Sequence, residues 1–375
     1  MSTCNHSLKL GKMTSEGAYM KSMTWLLGIC VMICLIGVSI PQYAQGAEPV
    51  IKLKYSIYSP PTHQMAVLAG QFCEEMKKRT KGRVEISLFA GGTLTTATKV
   101  FNGVVTGISD IGMSNIAYTR GRFPQSEVLD LPIGFPSGYV ATQVAQDFFN
   151  KTKPKEFDSV HMLYIHGCGP NVINTTKKPV RTLADLKGLK LRGTGRVADV
   201  VKALGATPIP LEMADIYDSM SRGVVDGVLI STNNLKDWKI GELIKTVTAS
   251  WKLGGVYTFY VVMNKDKWKS LPEDIKKIFN EVSEEYKNKT GIAWNQMDID
   301  GIEYMKKRGG QMINLSDDES KRWQNSVESL IAGYVKNMES LGFKKSETEA
   351  NIRFVRERIK YWRNKEKELK IPTPF

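Results

Sequence analysis

The chain has 375 residues, of which 42% are hydrophobic, and its formal net charge is +14. This length exceeds the size at which a single hydrophobic core usually stops growing, so we expect two domains. Basic and acidic residues are interspersed along the chain. That distribution argues against a nucleic-acid-binding protein, and the positive field favours attraction of small anions.

Residues 1–47 have the pattern of a secretory signal peptide. Three lysines precede an apolar run at 25–40, and small residues follow that run. A basic region, an apolar region and a small-residue cleavage site are typical of export signals. The alternative is a permanent membrane anchor, but an anchor needs about 20 apolar residues and this run is shorter. We therefore predict cleavage after Gly46 or Ala47 and a periplasmic protein.

After the signal segment, short strand patterns alternate with amphipathic helix patterns. The strand patterns lie at 51–56, 82–89 and 109–112, and the helix patterns between them lie at 65–80 and 99–106. This order predicts an α/β fold with a parallel sheet and helices on its faces. Ligands of such sheets lie beyond the carboxyl ends of the strands, so the loops that follow the strands are the segments to inspect.

Two residues in these loops are candidate ligand contacts. His63, in the loop after the first strand, either caps the next helix or contacts a ligand. Tyr118, after the third strand, either stacks on or hydrogen-bonds a ligand, or is a half-buried tyrosine at the rim of a site. The sequence leaves both alternatives open.

Residues 185–234 carry the strongest functional signal. A short apolar strand at 189–192 ends at Arg192, and a glycine-bearing turn at 193–195 leads into a helix pattern. A guanidinium in this place can meet a carboxylate through two parallel hydrogen bonds, and the N-terminus of the helix attracts the same anion. A surface arginine paired with a nearby acid is the alternative.

The wider segment resembles a known family. DLKGLKLR at 185–192 and ALGATPIPLEMADIYDSMSRGVVDG at 203–227 are similar to the solute-binding proteins of tripartite ATP-independent periplasmic (TRAP) transporters, the DctP-like family. YTRGRFP at 118–124 is similar to another family segment, with Arg120 where proline is common. The resemblance implies that Arg192 binds the carboxylate of the ligand. The family often follows VVDG with a polar ligand-contacting segment, and here the polar residues at that place are Ser231, Thr232 and Asn233.

Other positions bear on the kind of acid. The family often has a second arginine after the strand at 160–166, but this protein has Val, Ile and Asn at 172–174, so we expect a ligand with one carboxylate. Asn171 is a candidate hydrogen-bonding partner, or a turn former beside the Gly-Pro pair. Trp251 and Tyr257 are candidate lining residues for an apolar or aromatic acid, although core aromatics are commoner.

The resemblance also implies the architecture. It is a two-lobed, periplasmic-binding-protein-like α/β fold, with a ligand cleft between the lobes and a long helix spanning both. Residues 273–308 show a suitable, mostly uninterrupted helical pattern. We expect the following division: lobe I, 48–170 and 258–300; lobe II, 171–257 and 301–345; a C-terminal helix, 346–375.

Catalytic and metal-binding motifs are missing from the sequence. There is no GxSxG, HExxH, CxxC or EF-hand pattern, and His161 and His166 fall on opposite faces of a strand. We therefore predict no enzyme activity, no cofactor and no metal site. Cys73 and Cys168, the two cysteines beyond the signal segment, either form a disulfide or remain buried thiols.

The leading hypothesis is a periplasmic solute-binding protein that captures a small organic acid and delivers it to TRAP membrane permease subunits. A ligand-sensing subunit for a signalling partner is one alternative, and a hydrolase is a weaker one. No nucleic-acid partner is expected. The sequence leaves open the identity of the acid and the oligomeric state.

Overall fold

The structure is a computed structural model that describes residues 49–375. The predicted signal peptide lies outside the described residues. The described strands are β1 (Ile51–Ile57), β2 (Val84–Phe89), β3 (Ile111–Asn115), β4 (Val160–Gly167), β5 (Val172–Thr175), β6 (Lys190–Arg192), β7 (Thr207–Ile209), β8 (Gly227–Ile230), β9 (Thr246–Ala249), β10 (Thr258–Asn264) and β11 (Gln311–Asn314).

These strands form two sheets. The first has the order β2-β1-β3-β10-β4, with β1 parallel to β2 and β3, and with β10 antiparallel to both of its neighbours. The second has the order β11-β9-β5-β8-β6-β7, in which β6 is parallel to β7 and β8. Two sheets with helices packed on them confirm the predicted two-lobed α/β fold. The lobe boundaries stay a prediction.

The helices are α1 (Gln64–Arg79), α2 (Val100–Val105), α3 (Gly138–Thr152), α4 (Leu183–Leu186), α5 (Gly195–Ala203), α6 (Ile216–Ser221), α7 (Asn234–Asp237), α8 (Lys265–Ser270), α9 (Glu273–Lys306), α10 (Asp317–Ser340) and α11 (Lys345–Glu368). Local side-chain chemistry determines where several of these helices begin. The Ser137 hydroxyl accepts from the Val140 backbone N–H at the start of α3, and Pro272 with two acids in the first turn opens α9.

The longest helix, α9, has 34 residues and contacts elements from both sheets. It packs against α1, α3 and β4 of the first sheet and against α7, which follows β8 of the second. The same helix therefore supports loops from both parts of the fold, as the resemblance implied.

The core is built from strands that are buried along most of their length. In β10 six consecutive residues, Thr258 to Met263, are buried, which is typical of a strand covered on both faces. Cys73 and Cys168 are both buried and unpaired, so the predicted alternative of two free thiols is the one found. Within residues 49–375, no helix has the length and apolar character needed to cross a bilayer.

Candidate functional site

A cavity lies among the loops that follow several strands. The first sheet supplies Asn115 at the end of β3 and Phe259 in β10, and the second supplies Arg192 at the end of β6 and Ile230 at the end of β8. The cavity is therefore lined by residues from both sheets.

Arg192 lines this cavity and is only 2% exposed. Its Nε and Nη2 atoms donate to the backbone carbonyl oxygen of Leu211 at 3.0 and 2.9 Å, and Nη1 donates to the Tyr257 hydroxyl at 3.3 Å. No carboxylate of residues 49–375 forms an ion pair with this guanidinium. The surface ion pair considered for Arg192 is therefore not found, and its buried charge has only neutral partners.

Tyr257 connects Arg192 to the start of α5. Its hydroxyl oxygen also accepts from the backbone N–H of Thr194 at 3.1 Å and from the Thr194 hydroxyl at 3.3 Å. Thr194 is the residue before α5, so the predicted strand, turn and helix are all present. The donors at the helix start and the guanidinium thus converge on one oxygen, next to the cavity.

Aromatic rings form much of the cavity wall. Tyr58 stacks on Trp238 with 6.3 Å between ring centroids and meets Tyr118 edge-on at 5.6 Å. Phe259 and Trp294 stack at 5.3 Å. All five line the cavity. The space beside the guanidinium is therefore bounded by flat apolar faces.

His63 caps α1, as one of its two predicted alternatives stated, and it also lines the cavity, where ligand contact stays a prediction. Its Nδ1 accepts from the Met65 backbone N–H at 3.1 Å. Burial lowers the pKa of His63 to about 3, so the imidazole is neutral near pH 7. With Nδ1 acting as the acceptor, the single ring proton is on Nε2, and His63 can offer a neutral donor.

The segment after β8 is held by the long helix. The Thr232 hydroxyl donates to Asp298 Oδ1 at 3.0 Å, and the Asn233 backbone N–H donates to the same oxygen at 2.7 Å. Burial raises the pKa of the Asp298 carboxyl to about 7. Ser231 and Asn233 line the cavity, whereas Thr232 is not among the lining residues and contacts Asp298 instead.

The structure brings six of the nine predicted site residues to this cavity: His63, Tyr118, Arg192, Ser231, Asn233 and Tyr257. Thr232, Asn171 and Trp251 do not line it. The buried side chain of Asn171 makes no hydrogen bond within residues 49–375. Trp251 stacks on Phe375 at 4.5 Å. Ligand contact remains a prediction for these six residues.

Sequence reasoning missed several lining residues, among them Tyr58, Trp238, Phe259 and Trp294. Tyr58 directly follows β1, so its position after a strand was a usable signal. Phe259 and Trp294 lie inside regular elements and have the ordinary pattern of core residues. Only the packing of α9 against the first sheet places Trp294 at the cavity.

A two-sheet α/β fold, a cavity among the strand-end loops and a buried cation without an acid define a binding protein for a small anionic solute. Residues 49–375 contain no group of His, Cys, Asp and Glu side chains suited to a metal ion. The protein belongs to the DctP family, bacterial extracellular solute-binding protein family 7, whose model matches residues 55–337. It is a solute-binding protein of the TRAP type, as the sequence predicted.

Individual relatives agree with this assignment. The protein is 27% identical over 275 residues to the 2,3-diketo-L-gulonate-binding periplasmic protein YiaO of Escherichia coli, covering 71% of this chain and 81% of the relative. A TRAP periplasmic solute-binding protein of Desulfovibrio salexigens, crystallised open with the C-terminus of a symmetry mate in its ligand site, is 32% identical. Its TM-score is 0.72, and the match covers 83% of this chain and 96% of that one.

A TRAP protein of Bordetella bronchiseptica with bound (R)- and (S)-mandelate is 26% identical, with a TM-score of 0.77 and coverage of 83% and 99%. The family and these relatives are solute-binding receptors and not enzymes.

Proposed function

We propose that the protein is a periplasmic receptor that captures a small organic acid, holds its carboxylate on Arg192 and delivers it to a TRAP membrane permease. The buried guanidinium without a carboxylate partner is the observation that carries this proposal. An unpaired buried charge is strongly unfavourable, so a site that keeps one is suited to a ligand of opposite charge.

The hydrogen bonds of Arg192 leave a suitable edge for a carboxylate. Leu211 occupies the edge formed by Nε and Nη2. The opposite edge, formed by Nη1 and the second Nη2 hydrogen, has the fork geometry that matches two carboxylate oxygens. The bond from Nη1 to Tyr257 is long, at 3.3 Å, and a carboxylate can share or replace it.

The ligand we infer has one carboxylate and an aromatic or similarly flat apolar body. The five aromatic side chains of the wall support the flat body, and residues 172–174 supply no second arginine. Two relatives support this class. The Bordetella protein binds mandelate, an aromatic acid. The Desulfovibrio protein holds the C-terminus of a symmetry mate, and a polypeptide C-terminus ends in a carboxylate.

Calorimetry on purified protein tests the carboxylate contact. The titrants are mandelate, benzoate and the dicarboxylate succinate, and we expect the two aromatic monocarboxylates to bind more tightly than succinate. We expect Arg192→Ala to weaken binding at least about 30-fold, because truncating one partner of a buried charge pair costs roughly 2–5 kcal/mol. Arg192→Lys should restore little, because lysine lacks the fork.

Arg222→Ala is the matched control, since Arg222 is 76% exposed and is not one of the residues that line the cavity. Binding of the same acids to Arg192→Ala at the strength of the unmodified protein would refute the proposal. Ligand-dependent uptake into vesicles that contain TRAP permease subunits then separates delivery from a purely sensing role.

A further inference from the structure

The last helix, α11, carries a line of basic residues on one exposed face. The members follow one another at intervals of three and four residues, and all are exposed. At 3.6 residues per turn, such spacing places them within an arc of about 80°. We call this group the basic stripe, and it consists of Arg353, Arg356, Lys360, Arg363 and Lys367.

The charge of the basic stripe is not compensated. None of its five members forms an ion pair with another residue of the described part of the protein. Other basic residues of α11 are paired: Arg358 with Asp147 at 2.6 Å, and Lys365 with Glu368 at 2.6 Å. The helix therefore pairs basic side chains outside the arc and leaves those inside it facing solvent.

The acids of α11 do not cancel the stripe. Glu366 is buried, accepts from the Ser137 hydroxyl and the Asn295 amide, and forms no ion pair with Arg363, which attracts it only weakly. Glu347, Glu357 and Glu368 project outside the arc by the same helical geometry, and Glu349, one turn before Arg353, is the one acid of α11 in line with it. Five like charges side by side repel one another, so this face gains most from contact with an extended negative surface.

We propose that the basic stripe binds the surface of an anionic lipid bilayer. Arg353 to Lys367 span about 21 Å at 1.5 Å per residue, a straight line that mobile lipid headgroups can follow without a shaped partner.

The contact is peripheral. Ile352, Val355 and Ile359 are buried against the rest of the protein, so the apolar face of α11 is already occupied and does not enter the bilayer. Binding to the bilayer then depends on electrostatic attraction alone, and it weakens as the salt concentration rises. Its effect is to raise the receptor concentration at the membrane.

Vesicle co-sedimentation tests the basic stripe. The protein is the processed form recovered from periplasm, with its N-terminus verified by mass spectrometry so that no apolar leader contributes. Vesicles contain either 30% phosphatidylglycerol in phosphatidylcholine or phosphatidylcholine alone. We expect partition onto the anionic vesicles to be at least ten-fold higher at 50 mM salt and to be lost at 500 mM salt.

A five-site variant, with each member of the stripe changed to glutamine, should lose at least ten-fold in partition. The matched control changes five other exposed lysines to glutamine and has the same net charge: Lys52, Lys54, Lys99, Lys187 and Lys202. We expect this control to lose less than three-fold. Both variants should keep the melting temperature and acid affinity of the unmodified protein, since none of the ten residues lines the cavity.

Two results would overturn the inference. Equal losses in the two variants would mean that overall charge, and not the stripe, governs binding. No partition of the unmodified protein onto anionic vesicles would exclude a bilayer, and would leave an acidic protein surface as the partner to be sought.

Discussion

Arg192 is held in position entirely by neutral groups. The Leu211 carbonyl and the Tyr257 hydroxyl satisfy its hydrogen bonds without cancelling its charge. A guanidinium whose orientation is already fixed loses little side-chain freedom when an anion arrives. The same arrangement therefore keeps the positive charge available and limits the entropic cost of binding.

A second buried ionisable group, Asp298, gives a prediction about stability. Desolvation raises the pKa of its carboxyl from the usual 3.8 to about 7. Between these values the folded protein keeps a proton that the unfolded protein releases, so the free energy of unfolding falls as pH rises from 4 to 7. Asp298→Asn cannot ionise, so it should remove this contribution.

The measurement is urea unfolding of both proteins at pH 4.5, 6 and 8. We expect the free energy of unfolding of the unmodified protein, relative to Asp298→Asn, to drop by roughly 3 kcal/mol across this range. Parallel pH profiles for the two proteins would contradict the assignment of a protonated Asp298.

At the scale of elements, α9 approaches its neighbours closely because it carries glycine at the contact points. A Cβ on Gly301 would lie 1.9 Å from the Thr232 carbonyl oxygen, whereas a Cβ on Gly333 in α10 would meet nothing within 4 Å. Both residues are interior to helices, so their substitutions by alanine differ mainly in the space available.

We therefore expect opposite outcomes for the two alanine variants. Gly301→Ala should destabilise the protein by roughly 1–3 kcal/mol, because the backbone of the cavity-lining segment must move. Gly333→Ala should stabilise it by about 0.5–1 kcal/mol, because alanine favours a helix more than glycine does. Thermal unfolding of both proteins checks this. A Gly301→Ala protein as stable as the Gly333→Ala protein would show that Gly301 does not approach the Thr232 carbonyl this closely.

Elements with a strong periodic pattern were predictable from the sequence. The long helix, expected at 273–308, is found at Glu273–Lys306, and the strand expected at 189–192 is β6. Arg192 was predictable because the end of a strand before a helix is itself a local signal.

The rest of the cavity depends on contacts between segments that are distant in sequence. Trp251 and Trp238 lie in similar surroundings in the sequence, yet Trp238 lines the cavity and Trp251 packs on Phe375. The spacing of aromatic residues in the sequence does not distinguish one that packs in the core from one that lines the cavity, because both kinds occupy apolar positions of helices and strands. Only the packing of the elements decides between them.

At the scale of the whole molecule, ion pairs join elements associated with the two sheets. Arg196 in α5, beside the second sheet, donates to Glu127 at 2.7 Å. Glu127 lies between β3 and α3 of the first sheet. Both side chains are largely buried, at 12% and 6% exposed. A second ion pair, which is exposed, joins Arg120 to Asp199 of α5 at 2.7 Å. We infer that these pairs favour closure of the two lobes.

Glu127→Gln tests this inference without touching the cavity, because Glu127 does not line it. Breaking a buried pair from one side typically costs 3–5 kcal/mol, but Arg196 keeps Asp199 at 3.6 Å, so we expect a smaller effect. If closure is needed for tight binding, the apparent dissociation constant rises as the closed fraction falls. We expect a ten- to hundred-fold weaker affinity by calorimetry and a larger radius of gyration by X-ray scattering of the acid-bound protein.

Asp218→Asn, whose pair with Arg222 is exposed on both sides, should change neither quantity. An unchanged affinity and radius for Glu127→Gln would mean that the pair does not control closure.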